Sequence, residues 1–186
     1  MTLQVREGLP SLRHAKLVRE LEQSFSRSCE RGSFRVVHYS IQHDHVHLVV
    51  EAKGREALGR GMKSIAARFA RAVNRVFGRR GRVLRDRYHL HVLETPREVR
   101  NALRYVLLNG RRHAAKQRDA AVPGGSRIDP ASSGAWFDGW REGVASLLRG
   151  RSAGPPPVAR PRTWLLRRGW RRHGLLDPAD VPGSSP

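Results

Sequence analysis

The stretch "HDHVHLVVEA", residues 43–52, constrains this chain more than any other. Successive side chains of a β-strand point to opposite faces. In an extended chain His45, His47 and Val49 therefore share one face, and Val46, Leu48 and Val50 share the other. A second apolar run, "FRVVHYSI" (34–41), precedes it across a tight turn near Gln42 to Asp44, so the two read as a hairpin. Alternation of this kind belongs to a sheet with one face against helices and the other left polar. Here the polar face carries imidazole and reads as a platform for nucleic acid.

The flanking segments supply the rest of a sheet and its helices. Residues 2–6 read as a short strand. Pro10 or Ser11 opens a helix to about Arg31, with Val18, Leu21, Phe25 and Cys29 at helical spacing. "EALGRGMKSIAARFARAVNRVFG" is a second helix whose Leu58, Met62, Ile65, Phe69, Val73 and Phe77 face a core. "RVLRDRYHLHVLE" (82–94) reads as a fourth strand. It puts Arg85, Arg87, His89 and His91 on one face and Leu84, Tyr88, Leu90 and Val92 on the other. Pro96 starts a third helix, "PREVRNALRYVLLN", with Gly110 at its C-terminal cap. The order β-α-β-β-α-β-α predicts an α+β, ferredoxin-like fold: an antiparallel sheet with helices on one face and one helix added. Composition then changes. Residues 1–113 are expected to form the domain and 114–134, rich in Pro, Gly and Ser, a linker. Residues 135–186 are expected to form a basic, Trp-containing extension, irregular or helical.

Charge narrows the partners. The formal net charge is +20 and the pI about 11.7, which points to a polyanion. Of 36 basic residues only Lys16, Lys53, Lys63 and Lys116 are lysines; the arginine fork suits phosphate oxygens and stacks on bases. Arg68, Arg71 and Arg75 form a stripe on the second helix, read either as a solvated face or as DNA contacts. In "TWLLRRGWRRHG" Trp164 and Trp170 stand among arginines. They either clamp a DNA strand by stacking or dock on the core and strap the tail down. Cys29 is the only cysteine, which excludes a disulfide and a Cys-based zinc site. No apolar run reaches membrane-spanning length, and no GxxxxGKS loop suggests nucleotide hydrolysis. A cytoplasmic, nucleoid-associated protein with no membrane partner is expected.

Glu98, Asn101, Tyr105 and Asn109 step by 3 or 4 along the third helix and form a polar stripe beside the apolar one. Tyr105 and Asn109 thus project together. With "HVH" (45–47) on a strand, "RYVLLN" (104–109) on a later helix and "GRVLRDRYH" between them, the chain resembles the single-tyrosine HUH transposases, especially the REP-associated tyrosine transposase branch. "TWLLRRGWRRHG" resembles the C-terminal part of some bacterial members, and Gly110 stands where many members carry Pro.

The resemblance implies an HUH-endonuclease-like fold with Tyr105 on a catalytic helix. Tyr105 would attack a phosphodiester of single-stranded or hairpin DNA, giving a 5′-phosphotyrosine and a free 3′-OH. His45 and His47, with Asn109 as third ligand, would hold Mg²⁺ or Mn²⁺ as Lewis acid. Arg104 or a nearby His would help the phenol lose its proton. Arg85, Arg87, His89, His91, Arg68, Arg71, Arg75, Trp164 and Trp170 are the expected DNA contacts, and the protein a monomer or homodimer. Three alternatives stay open from the residues. His89 and His91 repeat the metal-pair spacing. A non-catalytic nucleic-acid-binding protein derived from a transposase would need only the basic face. A hydrolase using water would need no Tyr105.

Overall fold

The computed structural model describes residues 1–26, 30–116, 128–141, 155–178 and 180, with the course of the chain alone at 30, 31 and 110–116. Strands Thr2–Gln4 (β1), Glu30–Arg31 (β2), Phe34–Ile41 (β3) and His45–Ala52 (β4) form an antiparallel sheet in the order β1-β4-β3-β2. Helices Ala15–Ser26 (α1), Arg55–Val76 (α2), Pro96–Lys116 (α3) and the single turn Trp164–Arg167 (α4) surround it. Two 3₁₀ turns, Ser133–Trp136 and Gly169–His173, complete the elements. The fold is α+β and HUH-endonuclease-like, as the sequence predicts.

The alternation along β4 sorts the core into two layers. Val46 and Leu48 pack with Leu3, Leu21, Met62 and Phe69, under α1 and α2. Val49 packs on the opposite side with Val99, Leu103 and Leu107 of α3. In β3 the register slips between Val36 and His38. This bulge re-aims the strand, so that Val37 joins the α3 layer and His38 meets Phe137 edge-on at 5.3 Å. α2 crosses the sheet closely enough that a Cβ on Gly61 would come within 2.2 Å of the Phe34 ring.

Several boundaries differ from the expectation. α1 begins at Ala15, after a turn through Leu12 to His14, and Cys29 lies outside the described residues. Residues 82–94 are not a continuous strand. They meet the N-terminal segment at two points, Thr2 of β1 with His89 and Val5, just past β1, with Leu84. Three steps along the N-terminal segment thus span five along residues 84–89, and the surplus breaks the alternation. Leu84 and Tyr88 still pack on the core, but Leu90 (51% exposed) and Val92 (61%) face solvent. α3 runs on through Gly110 to Lys116. A glycine costs a helix interior only about 1 kcal/mol, too little to end a helix packed along the sheet.

The second half of the chain is part of the same core. Ala131 and Val158 join the α1–α2 layer; Ile128, Phe137, Trp140, Leu166, Trp170 and Leu176 join the α3 layer. Of the expected linker, residues 128–134 are thus built into the fold, and 117–127 lie outside the described residues. The same half seals the outer edge of β3, where Ile41 N–H donates to Ala131 at 2.8 Å and Ala159 N–H to Val36 at 2.8 Å. The imidazole face is therefore not the open platform expected from alternation alone. α3 and the C-terminal segment cover its middle.

His38 sits inside that cover with its Nδ1 3.1 Å from Ser133 Oγ, and complete burial pushes its pKa down to about 4. An unfolded His titrates near 6.5. The neutral ring therefore contributes stability that is fully present above about pH 6.5 and is lost between there and about pH 4. The slope is up to about 1.4 kcal/mol per pH unit. His38→Gln should flatten the stability profile across that window by about one proton, measured by urea denaturation at each pH. An unchanged slope would show that His38 protonates in place.

Candidate active site

β1 and β4 build one end of the sheet. The register sets Thr2 opposite His47 and Gln4 opposite His45, and directly opposed residues share a face. Thr2 Oγ1 lies 3.0 Å from His47 Nδ1. On the other imidazole, His45 Nδ1 lies 2.7 Å from Asp44 Oδ1. Partial burial works against ionisation of Asp44, but the hydrogen bond from His45 and a further one from the Asp44 backbone together hold the carboxyl below its ordinary value. Each ring is thus gripped by its Nδ1, and the two Nε2 atoms meet at 2.9 Å.

This arrangement fixes the tautomer of His45 and leaves two open to His47. A carboxylate only accepts, so His45 carries its proton on Nδ1 and keeps a lone pair on Nε2. His47 Nε2–H then donates to it, and the Thr2 hydroxyl donates to His47 Nδ1. A hydroxyl both donates and accepts, so Thr2 equally suits a His47 protonated on Nδ1, with both Nε2 lone pairs turned to a cation. Two cis ligands about 2.0–2.1 Å from a metal stand about 2.9 Å apart. The pair fits a divalent ion. Thr2 and Asp44 escaped the sequence reading: Asp44 adjoins the motif, but the role of Thr2 depends on a cross-strand register that no local pattern encodes.

α3 brings the tyrosine. Its N-terminus is a capping box: Glu98 N–H donates to Thr95 Oγ1 at 3.2 Å, and Thr95 N–H to Glu98 Oε2 at 3.0 Å. Hydrogen bonds from the Glu94 and Thr95 amides hold the Glu98 carboxyl below its ordinary pKa. Farther along, Arg100 Nε donates to the Gly174 carbonyl at 3.0 Å. The half-buried Tyr105 follows, with its ring edge-on to His47 at 5.0 Å between centroids. Asn109, one turn on, is 1% exposed, and both its amide oxygen and nitrogen lack a hydrogen-bond partner. A buried amide left unpaired costs about 1–3 kcal/mol, so this one asks for a ligand. Arg104 Nε is likewise buried without a partner.

The structure groups the other expected residues differently. His89 pairs with Thr2, which in turn pairs with His47. His89 therefore lies in the same row two strands over, about 10 Å away, too far to join His45 and His47 on one ion. His91, Arg85 and Arg87 are exposed along the same segment. Among the described residues no three His, Cys, Asp or Glu side chains converge, so a third ligand drawn from those residues would be of another type, as Asn109 is. Arg68, Arg71 and Arg75 lie on α2, across the sheet from Tyr105, and Arg75 pairs with Glu20. They are not part of this site.

Against this geometry, a family model of IS200-like transposases matches residues 10–107, more than half of the chain. The chain belongs to the IS200-like transposase family. Neither a curated protein nor a solved structure matches it. The region this transposase shares with its family includes His45, His47 and Tyr105, and stops short of Asn109 and the C-terminal segment. Among the described residues no helix is long and apolar enough to cross a membrane.

The two tryptophans of the transposase tail part ways. Trp164 is 49% exposed, whereas Trp170 is 1% exposed, donates from Nε1 to the Leu166 carbonyl at 3.1 Å and stacks on Phe137 at 5.5 Å. Trp170 has no face left for a base, and its expected DNA contact is corrected to a core role. Trp170→Ala should lower the unfolding free energy by about 3–5 kcal/mol in urea titrations. A loss under about 1 kcal/mol would mean that the tail is not fastened by this ring.

Proposed function

We propose that this transposase cuts and rejoins single-stranded DNA through a covalent 5′-phosphotyrosine at Tyr105. The observation that carries this reading is the contact of the Tyr105 ring with His47, whose Nε2 meets that of His45 at 2.9 Å. The phenolic oxygen forms a bond to the scissile phosphorus as the bond to the 3′ oxygen breaks. The phenolic proton leaves Tyr105, and the 3′ oxygen takes one up. One phosphodiester replaces another, so the step is nearly balanced and reversible, in keeping with a chain that has no phosphate-binding loop.

His45 and His47 would hold a divalent metal, with the unpartnered amide of Asn109 as a third ligand. Imidazole donors favour Mn²⁺ over Mg²⁺, though phosphate oxygens and water complete a Mg²⁺ shell equally well. When bound, the ion supplies Lewis-acid polarisation of the phosphate and the leaving oxygen. Asp44 and Thr2 keep the rings aimed. Arg85, Arg87, His89 and His91, exposed beside β1, supply a basic track leading to the site. Arg104, the residue before the nucleophile, or a nearby His would help the phenol lose its proton; the buried Nε of Arg104 has no partner of its own.

Incubated with hairpin-containing single-stranded DNA and Mn²⁺, the protein should form a denaturation-resistant adduct that maps to Tyr105. Tyr105→Phe should lose the adduct and keep its DNA affinity within about threefold, or about 0.7 kcal/mol. Cleavage at the wild-type rate in that variant would assign the chemistry to water.

The metal pair has a readout independent of cleavage. At about 100 times its dissociation constant, Mn²⁺ should stabilise the protein by about 2.7 kcal/mol, a rise of about 5–10 °C in melting temperature for a chain of this size. His45→Ala and His47→Ala should abolish the rise, and Asn109→Ala should reduce it. A full shift in both His variants would move the metal elsewhere.

A further inference from the structure

The region matched to the family ends at Leu107, yet the segment 155–178 presents its own unusual surface. Trp164 is the first residue of α4, whose Thr163 cap accepts from Leu166 N–H. Its ring rests against Gly169, where a Cβ would come within 2.6 Å of the six-membered ring, so only glycine lets the indole lie so close to the backbone. Half of the indole remains exposed, with the Arg172 guanidinium over it, 4.9 Å from the centroid. Arg160, Arg162, Arg167, Arg168 and Arg172 are all exposed around it, and the sequence from 155 to 176 contains no acidic residue. By contrast Arg171 lies over Trp170 and pairs with Asp138 at 2.9 Å.

A large aromatic face held rigidly in solvent, with one guanidinium over it and the exposed Arg167 and Arg168 on the same turn, fits one ligand chemistry. An unpaired base offers a π-face and its flanking phosphates offer charge, and single-strand platforms combine these two attractions. A duplex hides its base faces and an acidic peptide has none to stack. The mount is preorganised: Trp170 and Leu166 bury the other side of the same turn, so little freedom is lost on binding.

We propose that the C-terminal segment carries a second single-stranded DNA contact, outside the Tyr105 site. One unpaired base stacks on Trp164, against the Arg172 guanidinium or in its place, and Arg167 and Arg168 take the adjacent phosphates. That the strand is DNA rests on the transposase reading above. The contact itself rests on Trp164 and its arginines.

The test uses full-length Tyr105→Phe protein in EDTA, so that no chemistry occurs, with fluorescein-labelled dT12 as the probe in fluorescence anisotropy. Trp164→Ala should weaken binding by roughly 5- to 160-fold, the range for one lost base stack. Trp164→Phe should restore most of the affinity. Arg167→Gln with Arg168→Gln should reduce the slope of log K against log salt by about 1.4, two single-strand phosphates' worth. Unlabelled duplex 12-mer should compete far less well than dT12. Wild-type affinity in Trp164→Ala, failure of Phe to rescue, or equal competition by duplex would each overturn the proposal. Adduct formation at Tyr105 is scored separately. An adduct with no Trp164 effect sinks only the second contact, and a Trp164 effect with no adduct sinks only the cleavage reading.

Discussion

A buried carboxylate holds this structure in its working arrangement. Glu51, 8% exposed on β4, accepts from Arg35 Nη1 at 3.3 Å, from the backbone N–H groups of Arg162 (2.9 Å) and Thr163 (2.8 Å), and from the Thr163 hydroxyl (2.6 Å). A buried charge persists only when it is paired and its lone pairs are satisfied. Three of those donors come from the two residues just before α4, so satisfying the charge fixes the C-terminal segment to the sheet at one point. From there Leu166, Trp170 and Leu176 run over α3, and α3 is held against the sheet with Tyr105 at His47. Glu51 and His47 are four residues apart on one face of one strand. The same alternation that supplies the imidazoles supplies the anchor for the wall that faces them.

The two halves of the chain are consequently not a domain and an appendage in their energetics. The half shared with the IS200-like transposases contains the imidazoles and the tyrosine. The other half seals the β3 edge through Ala131 and Ala159, joins Arg13 to Asp129 in a two-pronged ion pair at 2.7 and 2.8 Å, and receives Arg100 of α3 at Gly174. An exposed strand edge invites pairing with other chains, and these backbone contacts close that of β3. The second half is thus part of what gives the first its shape.

How much of this was legible depends on the range of the physics. Periodicity is local, so the hairpin, α2 with Met62, Ile65 and Phe69, and the Tyr105–Asn109 stripe could be read from the chain. That His45 and His47 belong with Tyr105 came from the resemblance to the HUH transposases, because no local periodicity relates a strand to a helix about sixty residues on. Legibility failed where a distant contact decided the outcome. Gly110 looked like a cap, but packing along the sheet carries the helix through it. Leu90 and Val92 looked like core, but two extra residues against β1 turn them outward. Trp164 and Trp170 both stand close to paired arginines in the sequence, and it is the stack of Trp170 on Phe137, 33 residues before it, that marks the anchor from the exposed ring. Thr2 acquires its role from register alone.

Register and burial also shape the charge that the protein shows to its surroundings. Its carboxylates are few, and several are turned inward or tied to the backbone. Glu51 lies under the C-terminal segment, Asp129 is 6% exposed, Glu22 accepts from the Tyr39 hydroxyl at 2.9 Å, and Glu98 caps α3. Burial raises the pKa of Glu22 and, together with the charge of Glu22, that of Tyr39, so the Tyr39 phenol stays neutral and serves as a donor. The arginines, in contrast, stand mostly at the surface: 85 and 87 beside β1, 160, 162, 167, 168 and 172 on the C-terminal segment. Negative charge therefore acts at short range to hold the fold, while positive charge projects outward. The field met by an approaching polyanion is accordingly stronger than an even distribution of the net +20 would produce. The partner of a transposase is DNA, a polyanion, and this separation of charge favours such a partner without loosening the core.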